Sequence, residues 1–339
     1  MKAWTLVGPK QLNLISQQPS VLTAENNVKV KMEQVLFAST DYALYEDGVG
    51  KKSSLVLGRN GVGVVSDTFD NKAMLSKMDR VVIEPYVACN TCVNCKEQNY
   101  QDCEAMEELG VNANGLLQDF VDLPSSILHR LPDALSTERA LFVPTVATCL
   151  NVVDALQVNP GMHVAVFAST KSGLIVAQLL SHYQALPVLI SDNNEIIQLA
   201  KSLNVYYTIN TNDCDDVARE VQVITGTRMC KNVVYFADSS FNMREVYSVA
   251  SFNANVCLVG YGTKESKVSI AQIANKHLKI FGVYNGCGKF PRAINLLVTE
   301  SINVDFMVGE KIAFDNLEKR LLKIADADEF EVHYKIVTI

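Results

Sequence analysis

Four cysteines in one short stretch constrain this chain more than anything else in it: Cys89-x2-Cys92-x2-Cys95-x7-Cys103. Thiolates gathered this closely suit tetrahedral zinc, which favours soft sulfur ligands. A full set of four leaves no open coordination position, so the metal expected here is structural, one ion per chain, in a lobe of about residues 85–105. A bacterial-type iron–sulfur run would place its fourth cysteine after three residues and follow it with proline. Here the gap is seven residues and Glu104 follows, which favours zinc. The N-terminal segment shows neither a long apolar core nor a small-residue cleavage site, so no export signal is read and disulfides are not the expected fate of these thiols.

The length of 339 residues exceeds what one hydrophobic core usually serves, which points to two domains. The first third alternates short strand-like runs, such as Asn27 to Met32 and Arg80 to Glu84, with turn formers. After about residue 135 the pattern changes. Compact apolar runs (His163 to Ala168, Pro187 to Asp192, Tyr206 to Ile209, Asn232 to Phe236, Val256 to Gly260) alternate with helical spacing at Gly173 to Tyr183, Glu195 to Leu203, Asp215 to Val223 and Met243 to Ala250. A further helix is read at Ala147 to Leu156, and the chain closes with a helix near Arg292 to Val298 and a strand near Tyr334 to Val337. Strand–helix alternation of this length means a doubly wound parallel sheet, α/β in class. A net charge of -7 disfavours nucleic acid and anionic membranes as partners, because both need a basic face. No apolar stretch is long enough to span a bilayer, and a cytoplasmic protein is expected.

The cysteine lobe follows Asp79-Arg80-Val81-Val82 and precedes Asn114-Gly115-Leu116-Leu117-Gln118-Asp119-Phe120-Val121. That order resembles the medium-chain, zinc-type alcohol dehydrogenases, a family that includes sorbitol, threonine and cinnamyl-alcohol dehydrogenases, over essentially the whole chain. The resemblance implies a GroES-like β-barrel substrate domain (residues 1–147 and 285–339, with the zinc lobe) and a Rossmann dinucleotide-binding domain (residues 148–284). It also implies a small-molecule substrate and a homodimer or homotetramer, with edge strands around Val256 to Gly260 and Leu278 to Val283 pairing between copies.

The turn Ala168-Ser169-Thr170-Lys171-Ser172-Gly173 stands where a pyrophosphate meets a helix N-terminus. Of the G-x-G-x-x-G fingerprint only the last glycine, Gly173, remains; Ala168 and Thr170 hold the other two places. Thr170 offers a hydroxyl and Lys171 a positive charge. Asp192, nineteen residues past Gly173, suits ribose hydroxyls and would repel a 2′-phosphate, so NAD(H) is favoured over NADP(H). By resemblance, Gly260, Tyr261 and the stretch Gly282-Val283-Tyr284 lie near the nicotinamide.

The family's catalytic zinc is held by a cysteine in a C-G-S-D segment, a His-Glu pair in G-H-E, and a cysteine before the first cofactor-domain helix. Here the segments read Ala38-Ser39-Thr40-Asp41 and Gly58-Arg59-Asn60, and the third position falls on Ala147. None of these can ligate the metal well, and Cys149 alone does not restore a site that needs about three protein ligands. The alkoxide-like charge of hydride transfer then needs another stabiliser. Arg59 could supply it, paired with Asp41; Thr40 matches the family's proton-passing hydroxyl, Tyr42 is a candidate acid, and Asn60 a candidate oxyanion donor. An Arg59–Asp41 pair that only fills the vacated hole is the competing structural reading. At the level of function, two readings follow. One is an active reductase or dehydrogenase acting on a carbonyl, alcohol or enone. The other is a catalytically silent nucleotide-binding or interaction protein on the same fold.

Overall fold

The computed structural model describes residues 1–16, 18, 21–23, 28–48, 54–237, 239–260, 266–326 and 334–339. The chain divides into two compact units, residues 1–144 with 290–298 and 307–339, and residues 145–289 with 299–306.

The first unit is built around the long strand Val28–Phe37. It pairs antiparallel with Asn60–Thr68, with Phe120–Leu123 and with the C-terminal strand Lys335–Thr338. Arg80–Ile83 and Leu128–Arg130 continue one side of this sheet, and Lys311–Ala313 the other. A smaller sheet, Lys2–Gly8 with Gln11–Ser16 and Leu55–Val56, completes the β framework. Alternation puts Val28, Val30 and Met32 inside, where they join Trp4, Leu57, Leu116 and Val337 in one apolar core. Trp4 anchors there through its indole N–H, which donates to the Phe314 carbonyl at 2.8 Å.

Register positions the chemistry. Leu36 faces Asn60 across the sheet, so the residues leaving one strand, Ala38 to Thr40, are set beside those entering the other, Gly58 and Arg59. Within this strand-rich part of the chain, Ser39–Asp47 forms a helix. Asp41, in its first turn, accepts from the Ala38 N–H at 3.0 Å, and Gly48 ends it at φ 80°.

The second unit carries a six-stranded parallel sheet: β1 (His163–Phe167), β2 (Leu186–Ser191), β3 (Tyr207–Asn210), β4 (Cys230–Phe236), β5 (Ala250–Val259) and β6 (Lys279–Val283), in the order β3-β2-β1-β4-β5-β6. This is the Rossmann order, reversing direction between β1 and β4, the place where such sheets bind ligands at their carboxyl ends. Helices Ser172–His182, Asn194–Ser202, Val217–Thr225, Met243–Val249 and Ile270–Lys276 alternate with the strands. The helix expected from Ala147 starts earlier, as Val143–Leu156. Pro144 does not block it, because first-turn N–H groups need no helical acceptor. No described helix is long and apolar enough to cross a membrane.

Candidate active site and metal centre

The Sγ atoms of Cys89, Cys92, Cys95 and Cys103 all lie within 4.8 Å of one another. A tetrahedral zinc with Zn–S near 2.3 Å sets sulfurs about 3.8 Å apart, and Cys89 and Cys95 are 3.9 Å apart. A disulfide, at about 2.05 Å, is far shorter. Cys89 is polarised toward a thiolate, whereas burial pushes the Cys95 thiol up to about 12: Cys89 Sγ accepts from the Thr91 hydroxyl at 3.4 Å and from the N–H groups of Thr91 and Cys92 at 3.5 and 3.4 Å. Those bonds, the Thr91 hydroxyl first, pull the Cys89 thiol down to about 5. The lobe has little apolar packing of its own, with Val93 and Tyr100 exposed. Among the described residues no other group of three or more His, Cys, Asp or Glu side chains is arranged to hold a metal.

The lobe is rooted in a two-residue hairpin, Tyr86–Val87 against Glu107–Glu108, with Tyr86 directly opposite Glu108. Arg59 reaches both: its Nη2 forms an ion pair with Glu108 and donates to the Tyr86 hydroxyl at 2.8 Å. The guanidinium carbon sits 5.6 Å from the centre of the Tyr86 ring, and Nη1 donates to Thr40 Oγ1 at 3.5 Å. Close backbone packing brings these segments together. A Cβ on Gly115 would fall 2.4 Å from the Gly58 carbonyl oxygen, and one on Gly110 2.8 Å from it.

The ion pair expected between Arg59 and Asp41 is replaced by the one with Glu108. Asp41 instead gives its two oxygens to backbone, accepting from Ala38 and from Gly58 at 2.9 Å. It is 1% exposed, and burial raises its carboxyl to about 6 despite those bonds. Asp41 thus ties Ala38 to Gly58. Tyr42 packs edge-on against Phe37 at 4.8 Å, and burial, then the charges of Asp41 and Glu310, push its phenol well above the usual range, which weakens it as an acid. Asn60 is half-buried at the start of its strand.

Ala147, in the second unit, is fully buried, and Gly286 packs on it so closely that a Cβ there would lie 2.6 Å from the Ala147 Cβ. Cys149 is likewise buried, its thiol pushed up to about 12 by burial and placed 3.8 Å from the Ser172 carbonyl. Of the histidines, His129 binds Glu84 at 2.8 Å and stacks on Phe290, while His163 lies against Tyr207 and His182 against Tyr183. His277 is the C-cap of Ile270–Lys276, and His333 lies outside the described residues.

The turn after β1 has the shape a pyrophosphate needs at two points. Gly173 is required, since its Cβ would come within 2.2 Å of the Ala168 Cβ. Gly173→Ala is therefore expected to cost about 1–3 kcal/mol by overpacking and to weaken dinucleotide binding, measurable by denaturant melts and NADH titration. The Thr170 hydroxyl is buried with no hydrogen-bond partner among the described residues, a donor left for a ligand at the start of Ser172–His182. Lys171 pairs with Glu195 at 3.1 Å. At the ends of β1, β2 and β4, Asp192 accepts from Ser169 at 2.7 Å and from Ser240. Burial alone would raise Asp192, but those hydroxyls, Ser240 first, hold it below the usual carboxylate range. Gly260 follows β5 at φ 107° and Val283 ends β6, while Tyr261 lies outside the described residues. The glycine, threonine hydroxyl and ionised acid fit a dinucleotide.

Neither Tyr86 nor Glu108 was foreseen in the sequence. The only available sign was an acid and an aromatic flanking the cysteine lobe on either side.

Comparison with known proteins agrees with this architecture. The model for the alcohol dehydrogenase GroES-like domain matches residues 24–133, and that for zinc-binding dehydrogenases residues 173–299. An uncharacterized zinc-type alcohol dehydrogenase-like protein of Haemophilus influenzae is 24% identical over 332 residues, covering 97% of this chain and 96% of the relative. A sorbitol dehydrogenase of Arabidopsis thaliana is 24% identical over 94% of this chain and 89% of its own. In fold, the chain superposes with TM-score 0.87 on an Escherichia coli alcohol dehydrogenase (rspB) complexed with NADH, 21% identical, over 100% and 99% of the two chains. The GroES-like and Rossmann units, the cysteine centre and these matches place the chain in the medium-chain, zinc-type alcohol dehydrogenase family of nicotinamide-dependent dehydrogenases and reductases.

Proposed function

We propose that this oxidoreductase moves hydride between NAD(H) and a carbonyl or alcohol carbon, with Arg59 rather than a catalytic zinc polarising the oxygen. The observation that carries the reading is Arg59 itself. It stands in a ligand segment, is fixed on one side by Glu108 and Tyr86, and directs Nη1 toward the Thr40 hydroxyl. A pre-aimed guanidinium in a water-poor setting stabilises developing oxyanion charge without reorganising during the reaction. Thr40 is the group within reach to pass the alcohol proton. Asp41 holds the backbone under both residues in place. Cys89, Cys92, Cys95 and Cys103 would hold a zinc that stiffens the lobe. The nicotinamide supplies or accepts the hydride when bound, with Thr170, Gly173 and Asp192 as the groups that seat the dinucleotide.

An enone substrate, whose hydride goes to a carbon remote from the oxygen, asks less of Arg59 and belongs in the same test. A panel of ketoses, ketones, aldehydes and enones offered with NADH, read by loss of nicotinamide absorbance, examines the proposal. Turnover of at least one class supports it; tight NADH binding without turnover of any class favours the catalytically silent reading. The sorbitol dehydrogenase relative supports starting with ketose and polyol pairs.

Asp192 supports NAD(H) as the cofactor. Asp192→Ala is expected to weaken NADH binding about tenfold or more while leaving NADPH little changed, measured by fluorescence titration. Tighter binding of NADPH than of NADH by the native chain would contradict the assignment. Pairing of copies as a homodimer or homotetramer, through the partly exposed edge strand β6, belongs to the same proposal.

A further inference from the structure

Arg59 does not bring a free positive charge to the site. Its side chain is 11% exposed and that of Glu108 6%, so the pair is nearly desolvated. Removing either partner would strand the other's charge in a poor solvent. The backbone that carries the carboxylate is also held. Glu108 stands opposite Tyr86 in the hairpin, its N–H donates to Asn112 Oδ1 at 2.6 Å, and the Leu109 N–H that follows donates to the Pro85 carbonyl at 2.9 Å. Both strands continue directly into the cysteine lobe, Tyr86 toward Cys89 and Glu108 back toward Cys103.

We propose that Glu108 is a positioning and charge-balancing residue for Arg59, and that it makes the site select uncharged oxygen-bearing substrates (ketones, aldehydes, polyols) over carboxylates and phosphates. The proposal rests on the reading of Arg59 as the polarising group and deepens it by naming a substrate class. Glu108 and Tyr86 occupy Nη2, so the guanidinium is turned with Nη1 toward Thr40. A neutral carbonyl accepts that N–H and the Thr40 hydroxyl with the charge balance intact. An anion placed there would meet Arg59 and the buried carboxylate of Glu108 together, losing its hydration for a pair already neutral. A purely structural Glu108, serving only to root the lobe, would leave charge selection untouched.

Isobutyramide and isobutyrate have nearly the same shape and differ in charge, which makes them suitable probes. Each would be titrated by calorimetry into the zinc-containing, NADH-loaded full chain. The native protein is expected to bind isobutyramide at least about tenfold tighter than isobutyrate. Glu108→Gln should cut that preference about tenfold or more through tighter isobutyrate binding. Because Glu108→Gln leaves a lone buried cation, and Arg59→Gln a lone buried carboxylate, each single variant is first matched to the native chain in zinc content and thermal melt, and the same charge is also removed in the Arg59→Gln background. There the double variant should bind isobutyrate about tenfold or more tightly than Arg59→Gln alone. An unchanged preference in Glu108→Gln, or no gain in the double variant, overturns the role of Glu108 while leaving Arg59 standing. Arg59→Gln that binds both probes like the native chain would instead overturn the reading of Arg59.

Discussion

Arg59→Gln is expected to lower kcat/KM by about 100- to 1,000-fold, the range for removing one preorganised oxyanion donor, with NADH affinity and zinc content unchanged. The expectation follows from what the side chain touches. Its contacts include Glu108, Tyr86 and Thr40. The cofactor turn belongs to the other unit. The loss should fall mainly on kcat, because the guanidinium serves the charge that develops in the transition state. Arg59→Lys should recover little, since an ammonium cannot meet Glu108, Tyr86 and Thr40 at once in the fork geometry of a guanidinium. Steady-state kinetics on the best substrate of the panel decides the matter. A variant that keeps native kcat/KM would reduce Arg59 to the filler of a vacated hole.

Cys103→Ser, or exhaustive chelation of the native chain, is expected to take the zinc content from one per chain to none and to lower the melting temperature by roughly 10 °C. That figure assumes a metal present at about a thousand times its dissociation constant, worth about 4 kcal/mol, in a unit of this size. The lobe would depend on a bound ion, because its short helix Val93–Lys96 and the turn Tyr100–Asp102 have few apolar contacts to hold them. Turnover should fall with the metal even though no substrate touches it, since the hairpin at its root carries both side chains that fix Arg59. Metal analysis beside a thermal melt checks this. A metal-free chain with an unchanged melting temperature would contradict it.

Much of the fold could be read before any coordinates. The second unit announces itself because its strands are buried apolar runs and its helices keep their spacing, so local pattern and tertiary position agree. The cysteine centre is legible for a different reason: its ligands lie within fifteen residues of one another, close enough for spacing alone to imply shared chemistry. The sequence offers Thr40 and Asp41 as candidates beside Arg59, but it does not point to Glu108 as the partner of Arg59. Glu108 is 49 residues from Arg59 and lies in a strand of only two residues, too short to show a period. A nearby acid, Asp41, offered a simpler pairing. The backbone N–H groups of Ala38 and Gly58 claimed that acid instead, and no sequence pattern shows where a buried carboxylate will find its donors. The helix Ser39–Asp47 went unread for a related reason. Its stop depends on Gly48 in a left-handed conformation, and its start on Asp41 reaching back to Ala38.

The role proposed for Arg59 requires one metal per chain, and a structural one. An anomalous difference map measured at the zinc edge, from crystals of the NADH complex, tests it most directly. A single peak per chain, enclosed by Cys89, Cys92, Cys95 and Cys103, is expected. A second peak beside Ala38, Arg59 or Ala147 would contradict it.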